Sequence, residues 1–315
     1  MLSFVCRLAF KAPLRLPTIF LICLFLLGCN QHETSLSGPQ VKSNPQSIKI
    51  GLLPEQDIFT QKKRYEPLLA LLSKKIGISI QICILPHYGN IIDDFNNLGL
   101  DGAFFGSFTG AMAIQKFFVE PLARPQYAGG ASSYYGMVFV KKGSSIRTAE
   151  DMRGKQMVFV DRATTAGYLL PLAYFKALGI VDYKRWFKEY YFSGTHEDAI
   201  KDVLNGQADI GAAKNTVFYR MAATDSRLLS ELEILETSPH VPANGLAVRH
   251  DLDPELKQAL KQQLLVLHQG EEGRAVLDVL KIERFVETTA DDYQPVLDYA
   301  KSIGLDLKTY NYLND

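Results

Sequence analysis

Beyond residue 29 the sequence holds one cysteine, Cys83, so no disulfide framework can staple it. The six histidines are scattered without the spacing of metal ligands. HExxH, G-x-S-x-G, G-x-G-x-x-G and the lysine of a Walker loop are all missing. Zinc-protease, serine-hydrolase, dinucleotide and P-loop signatures are thereby excluded, and the sequence nominates no catalytic residue, no metal and no cofactor. Charge of one sign is missing too, since 34 Lys and Arg face 34 Asp and Glu, and without a basic stripe there is no footprint for nucleic acid. The apolar run at 16–27 falls short of the ~20 residues a membrane-spanning helix needs.

That run does have a reading. Arg7, Lys11 and Arg15 precede it and Gly28-Cys29 follows, the layout of an export signal. "LLGC" (26–29) is similar to a bacterial lipobox, which predicts a signal peptide over 1–28, lipid on Cys29 and a membrane-anchored lipoprotein in the periplasm or cell envelope. Leu27 is not the small residue usual before that glycine, and an uncleaved anchor or plain cleavage are the alternatives. Residues 29–46, rich in Ser, Gln, Asn, Gly and Pro, read as a flexible tether. Cys6 and Cys23 would leave with the signal, and Cys83 reads as a buried strand residue.

From residue 47 short apolar runs alternate with amphipathic ones. Strands are predicted at 47–54, 78–86 and 100–106, with helices at 65–76, 90–98 and 108–117 between and after them. A longer β-rich run, 134–141, precedes a second such series through 193–200 and 208–223, and 241–252 reads as a further strand. Beyond it only helical patterns are read, at 254–268, 273–280 and 290–302. This is the rhythm of mostly parallel sheets with helices on their faces. The economical arrangement is two α/β lobes, 47–137 with 245–315 and 138–244, the second inserted in the first through crossings near 136–142 and 240–246. Ligands bind at the carboxyl ends of strands in such sheets, so two facing lobes make a cleft.

The residues placed at such ends are small or hydroxylated. In "VDRATTAGYLLP" (160–171), Thr164 and Thr165 stand where a strand gives way to a helix, and Pro171 limits how far upstream a regular helix extends. Unpartnered N–H groups there, with the helix dipole behind them, suit an oxyanion, and Gly167 would let it approach closely. A simple threonine cap explains the turn as well. "GTHEDAI" repeats the form with His196, whose neutral imidazole is favoured at the positive end of a helix, although a lone histidine is more often a surface or capping residue. Ser107, Tyr88 and Tyr134 border the same cleft as donors or as plain cap and packing residues. Asp161, close to the turn, is either a proton acceptor or a loop carboxylate.

Taken in order, "YYGMVFVKKGSSIRTAEDMRGKQMVFVD", "TTAG" and "GTHEDAI" resemble the crossing strand, the S-T-S-G turn and the histidine helix of the PhnD-like family, over roughly residues 47–285. The resemblance implies a type II periplasmic-binding fold and a substrate-binding component of an ABC importer, a monomer delivering phosphate, phosphite or a phosphonate to a permease. The alternatives are a sensory module signalling in trans to a membrane kinase, binding of a different small anion, and an enzyme using His196 as an acid/base, for which no paired nucleophile is found. It also implies a phosphoryl site of Thr164, Thr165, Ala166, Gly167, His196, Tyr88 and Tyr134, with Ser107 beside it. Ala166 stands where relatives often have serine. Val217 and Asn244 stand where members binding aminoalkyl phosphonates carry carboxylates, which predicts weak or no binding of aminoethylphosphonate.

Overall fold

The computed structural model describes residues 47–307 and 309–314; the expected signal peptide 1–28, Cys29 and the expected tether 29–46 lie outside the described residues. The first predicted strand forms as β1 (Ser47–Leu52), whose residues from Ile50 to Leu52 are buried. Parallel partners flank it, β2 (Ser79–Ile84) and β3 (Gly102–Phe105). The helix between β1 and β2 runs Ile58–Ile76, seven residues longer than its apolar period suggests, because Asp57 caps it by accepting from the Thr60 amide at 3.0 Å. Its exposed first turns carry no apolar stripe to read.

Strand β4 (Glu120–Gln126) follows, and the chain then leaves the first sheet through β5 (Ser133–Tyr134). The second sheet consists of β6 (Gly136–Lys141), β7 (Gln156–Phe159), β8 (Glu189–Phe192), β9 (Ile210–Lys214) and β10 (Leu232–Thr237). The chain returns through β11 (Val241–Pro242), paired antiparallel with β5, and ends the first sheet with β12 (Gly245–Val248) and β13 (Arg284–Glu287). The stretch 136–142 is therefore mostly strand β6 of the second sheet, and the paired passage lies just before it.

The orders are β13-β4-β12-β3-β1-β2 and β10-β6-β9-β7-β8. Each sheet is parallel where helices connect its strands and antiparallel where strands meet the passage between sheets. β13 corrects the expectation of helix alone after residue 252. It is a four-residue edge strand, too short for a periodic signal, and it exists because β4 offers it a ladder. Cys83, expected buried, is only half-buried, since β2 is the other edge.

Among the described residues no helix is long and apolar enough to cross a membrane. The helix Gln294–Ser302 packs on the helix Ser107–Phe117, where Gly110 leaves room for the Tyr293 ring. The final residues bind both sides of the molecule. Tyr312 Oη donates to Asp93 at 2.5 Å, while Tyr310 Oη donates to the Arg162 carbonyl at 2.9 Å and Asn314 to Asp161 at 2.9 Å.

Candidate functional site

Residues just past six strand ends line one small cavity: Glu55 after β1, Tyr88 after β2, Gly106 after β3, Thr164 after β7, His196 after β8 and Lys214 closing β9. Four helices begin here, at Ser107, at Thr165, at His196 and at Asn215. Their first amides have no helical acceptor behind them, so partial positive charge converges on the cavity. Its volume is about 10 Å³, the space of roughly one water-sized group.

Thr165 does not open an ordinary α-helix. Residues Thr165–Leu169 form a π-helical turn in which the Leu169 amide reaches back to the Thr164 carbonyl at 3.1 Å, and the α-helix proper starts at Leu170 with Pro171 in its first turn. The turn leaves the amides of Thr165 to Tyr168 ahead of the first helical acceptor. No side chain caps it. The Thr164 hydroxyl instead donates to the Asp161 carbonyl at 2.5 Å, and the Thr165 hydroxyl accepts from the Phe108 amide at 3.0 Å. That last bond joins the first turn of the helix Ser107–Phe117, which follows β3 of the first sheet, to the turn that follows β7 of the second.

The histidine's state follows from its partner. His196 Nδ1 accepts from the Lys214 amide at 3.3 Å, so the proton sits on Nε2. Burial drives its pKa down, against the pull of Glu55, to about 3, and the imidazole is a neutral donor. Its ring meets that of Tyr88 edge-on at 5.9 Å. The Tyr88 hydroxyl is buried with no hydrogen-bond partner. Burial also holds that phenol protonated, with its pKa raised well above the ordinary value.

Ser107 has a different task. Its Oγ lies 2.6 Å from the Pro242 carbonyl and 2.9 Å from Tyr134 Oη. The carbonyl can only accept, so the serine proton goes to Pro242 and Tyr134 donates to the serine. Ser107 thus orients Tyr134 and does not line the cavity. Ala166 and Gly167 do not line it either. A side chain at 167 would meet Val160 Cβ at 2.4 Å and Thr164 Oγ1 at 2.7 Å, so this glycine serves the packing of turn on strand, not the approach of a ligand. Asp161 is a turn carboxylate, accepting from the Ala163 amide at 2.8 Å and from Asn314.

Two charged residues that the sequence reading missed complete the cavity. Lys214 Nζ donates to Glu55 Oε1 at 2.7 Å and to Asn244 Oδ1 at 3.0 Å, and Asn244 Nδ2 donates to the same Glu55 oxygen at 2.9 Å. Nζ also lies 4.4 Å from the centroid of the Tyr134 ring. Burial raises the Glu55 carboxyl, but the charge and hydrogen bond of Lys214 prevail and hold it at about 2. A carboxylate is therefore present, contrary to the expectation drawn from Val217 and Asn244. Val217 is fully buried in the core, whereas Asn244 is at the site, binding Lys214 and Glu55. The available signal was position, since Glu55 stands just after β1 and Lys214 is the last residue of β9.

Among the described residues no group of three His, Cys, Asp or Glu is placed to hold a metal ion. Two mixed sheets, joined by a paired passage and meeting at a cavity of helix N-termini, define a two-lobed α/β binding protein. The chain belongs to the family described as "ABC transporter, phosphonate, periplasmic substrate-binding protein", whose model matches residues 50–293. It is similar to the phosphonates-binding periplasmic protein of Escherichia coli K12, with 23% identity over 79% of this chain and 74% of that one. It is also similar to the phosphate-import protein PhnD of Mycolicibacterium smegmatis, with 27% identity over 69% and 70%. Among solved structures, the binding-protein component of an ABC phosphonate transporter from Pseudomonas aeruginosa aligns with a TM-score of 0.76 at 25% identity, covering 82% of this chain and 86% of that one. PhnD1 of Prochlorococcus marinus with methylphosphonate aligns at 0.74 and 21% identity, covering 82% and 99%, a likeness of fold.

Proposed function

We propose that this chain is a lipid-anchored substrate-binding protein that closes its two lobes over a small phosphorus oxyanion (phosphate, phosphite or an alkylphosphonate) and delivers it to an ABC permease. The observation that carries this reading is the Tyr88 hydroxyl, buried without a partner at a cavity on which four helix N-termini converge. An acceptor-rich group satisfies that donor, His196 Nε2–H and the first amides of the Thr165 turn together. The phosphoryl group takes its seat by parting the Phe108 amide from Thr165, after which both donate to it. Tyr134, held by Ser107, and Lys214 border the seat. The hinge is the β5–β11 pair, and bonds from both lobes to one anion stabilise the closed form.

Aminoethylphosphonate fits poorly for a reason that differs from an absent carboxylate. Glu55 is already neutralised by Lys214, and a ligand ammonium beside Lys214 meets a like charge. Calorimetry of the purified chain with phosphate, phosphite, methylphosphonate and aminoethylphosphonate tests the reading. At least one of the first three binds in the micromolar range or tighter, about −8 kcal/mol or better. Binding of none of them below millimolar overturns it, as does a Thr165→Val variant with undiminished affinity.

A further inference from the structure

Behind the seat lies a much larger space. A cleft of about 750 Å³ opens beside it, in the size range of organic-ligand pockets, against about 10 Å³ for the seat itself. Glu55, Lys214 and Asn244 line both spaces, so the two adjoin at this cluster. The walls include Tyr65, Phe104, Tyr127 and Phe285, and the Tyr65 and Phe104 rings pack at 5.0 Å.

The charges in this cleft are unbalanced. Arg64, Arg220, Lys214 and Lys281 line it against Glu55, its one carboxylate, which Lys214 already neutralises. Among the described residues neither arginine has a carboxylate partner. Arg220 donates to Gln56 Oε1 at 2.6 Å and Arg64 to the Leu280 carbonyl at 3.0 Å, leaving most of the five N–H donors of each guanidinium free. They are close enough that the charge of Arg64, after burial, helps push the pKa of Arg220 below its ordinary value. An anion between them relieves both effects.

We propose that the ligand is a ring-bearing phosphonate or phosphate monoester with a second negative group, its phosphoryl in the seat, its ring among the cleft aromatics and its second charge on Arg64 and Arg220. This rests on the reading of the seat as the phosphoryl site. Inorganic phosphate and methylphosphonate would then fill only the smaller part of the binding volume, and the Glu55–Lys214–Asn244 cluster would be the threshold the substituent crosses.

The test is calorimetry of the full chain with methylphosphonate, phenylphosphonate and 4-phosphonobenzoate. Affinity rises in that order, with 4-phosphonobenzoate at least tenfold tighter than methylphosphonate. In Arg64→Gln and Arg220→Gln that ratio falls below threefold, whereas Thr165→Val weakens all three ligands alike. Equal affinities for methylphosphonate and 4-phosphonobenzoate overturn the inference and leave the seat intact, and so does a ratio unmoved by either arginine substitution. Aromatic phosphonates that respond to Arg64→Gln but not to Thr165→Val overturn the seat and the linked arrangement together.

Discussion

Lys214 and Glu55, 159 positions apart, form a buried ion pair at 2.7 Å across the two lobes, with side chains 3% and 9% exposed. Removing one partner leaves the other charge buried and uncompensated, a cost of ~3–5 kcal/mol. We therefore predict that Glu55→Gln and Lys214→Met each lower the urea-unfolding free energy by about that much. The double variant should recover more than half of the summed loss. Purely additive losses would show that the pair is not coupled.

Tyr88→Phe separates function from stability. The hydroxyl it removes is buried and unpartnered, a state that costs ~1–3 kcal/mol, so the variant unfolds at the same or a higher temperature. Affinity for the anion falls about tenfold, or ~1.4 kcal/mol. A variant that is less stable, or that binds as well, would place the hydroxyl outside the site.

The pH dependence follows from His196 and Glu55. The folded pKa of His196, about 3, lies below its ordinary 6.5, so the unfolded chain takes up the proton first and stability falls as pH drops below 6.5. Glu55, held at about 2 against an ordinary 4.5, adds a second loss below pH 4.5. Thermal unfolding followed from pH 7 to pH 5 should therefore show a decline that His196→Gln largely abolishes. Anion affinity of the native protein, corrected for the ligand's own titration, should not change through protonation of His196 over the same range.

Gly167→Ala tests the packing of the turn. Its Cβ would sit 2.4 Å from Val160 Cβ and force the turn off the strand, for a loss of ~1–3 kcal/mol in chemical denaturation. An innocuous Gly167→Ala would return the glycine to the role of clearing a path for the ligand.

Cys29→Ser tests the proposed lipid anchor. The variant should lose metabolic labelling by a fatty-acid analogue and leave the membrane fraction. Retention of the label would exclude Cys29 as the acceptor.

The hydroxyl turns at 164–165 and 107 and the histidine at 196 were legible because strand-to-helix junctions leave a local pattern, apolar alternation followed by small polar residues. The roles within them were not. Ser107 and Gly167 resemble ligand contacts in sequence, yet one orients Tyr134 and the other accommodates Val160.

The sequence by itself determined the alternation of strands and helices, the inserted second lobe and the donors at strand ends, because periodicity and turn chemistry act over a few residues. Tertiary structure alone decided what depends on distant pairing. The edge strand β13 exists only through β4, and Glu55 acquires its partner only when β9 comes to face the loop after β1. The cleft holding Arg64 and Arg220 is likewise lined by residues far apart in sequence, and neither arginine carries a local mark that separates it from an ordinary surface charge.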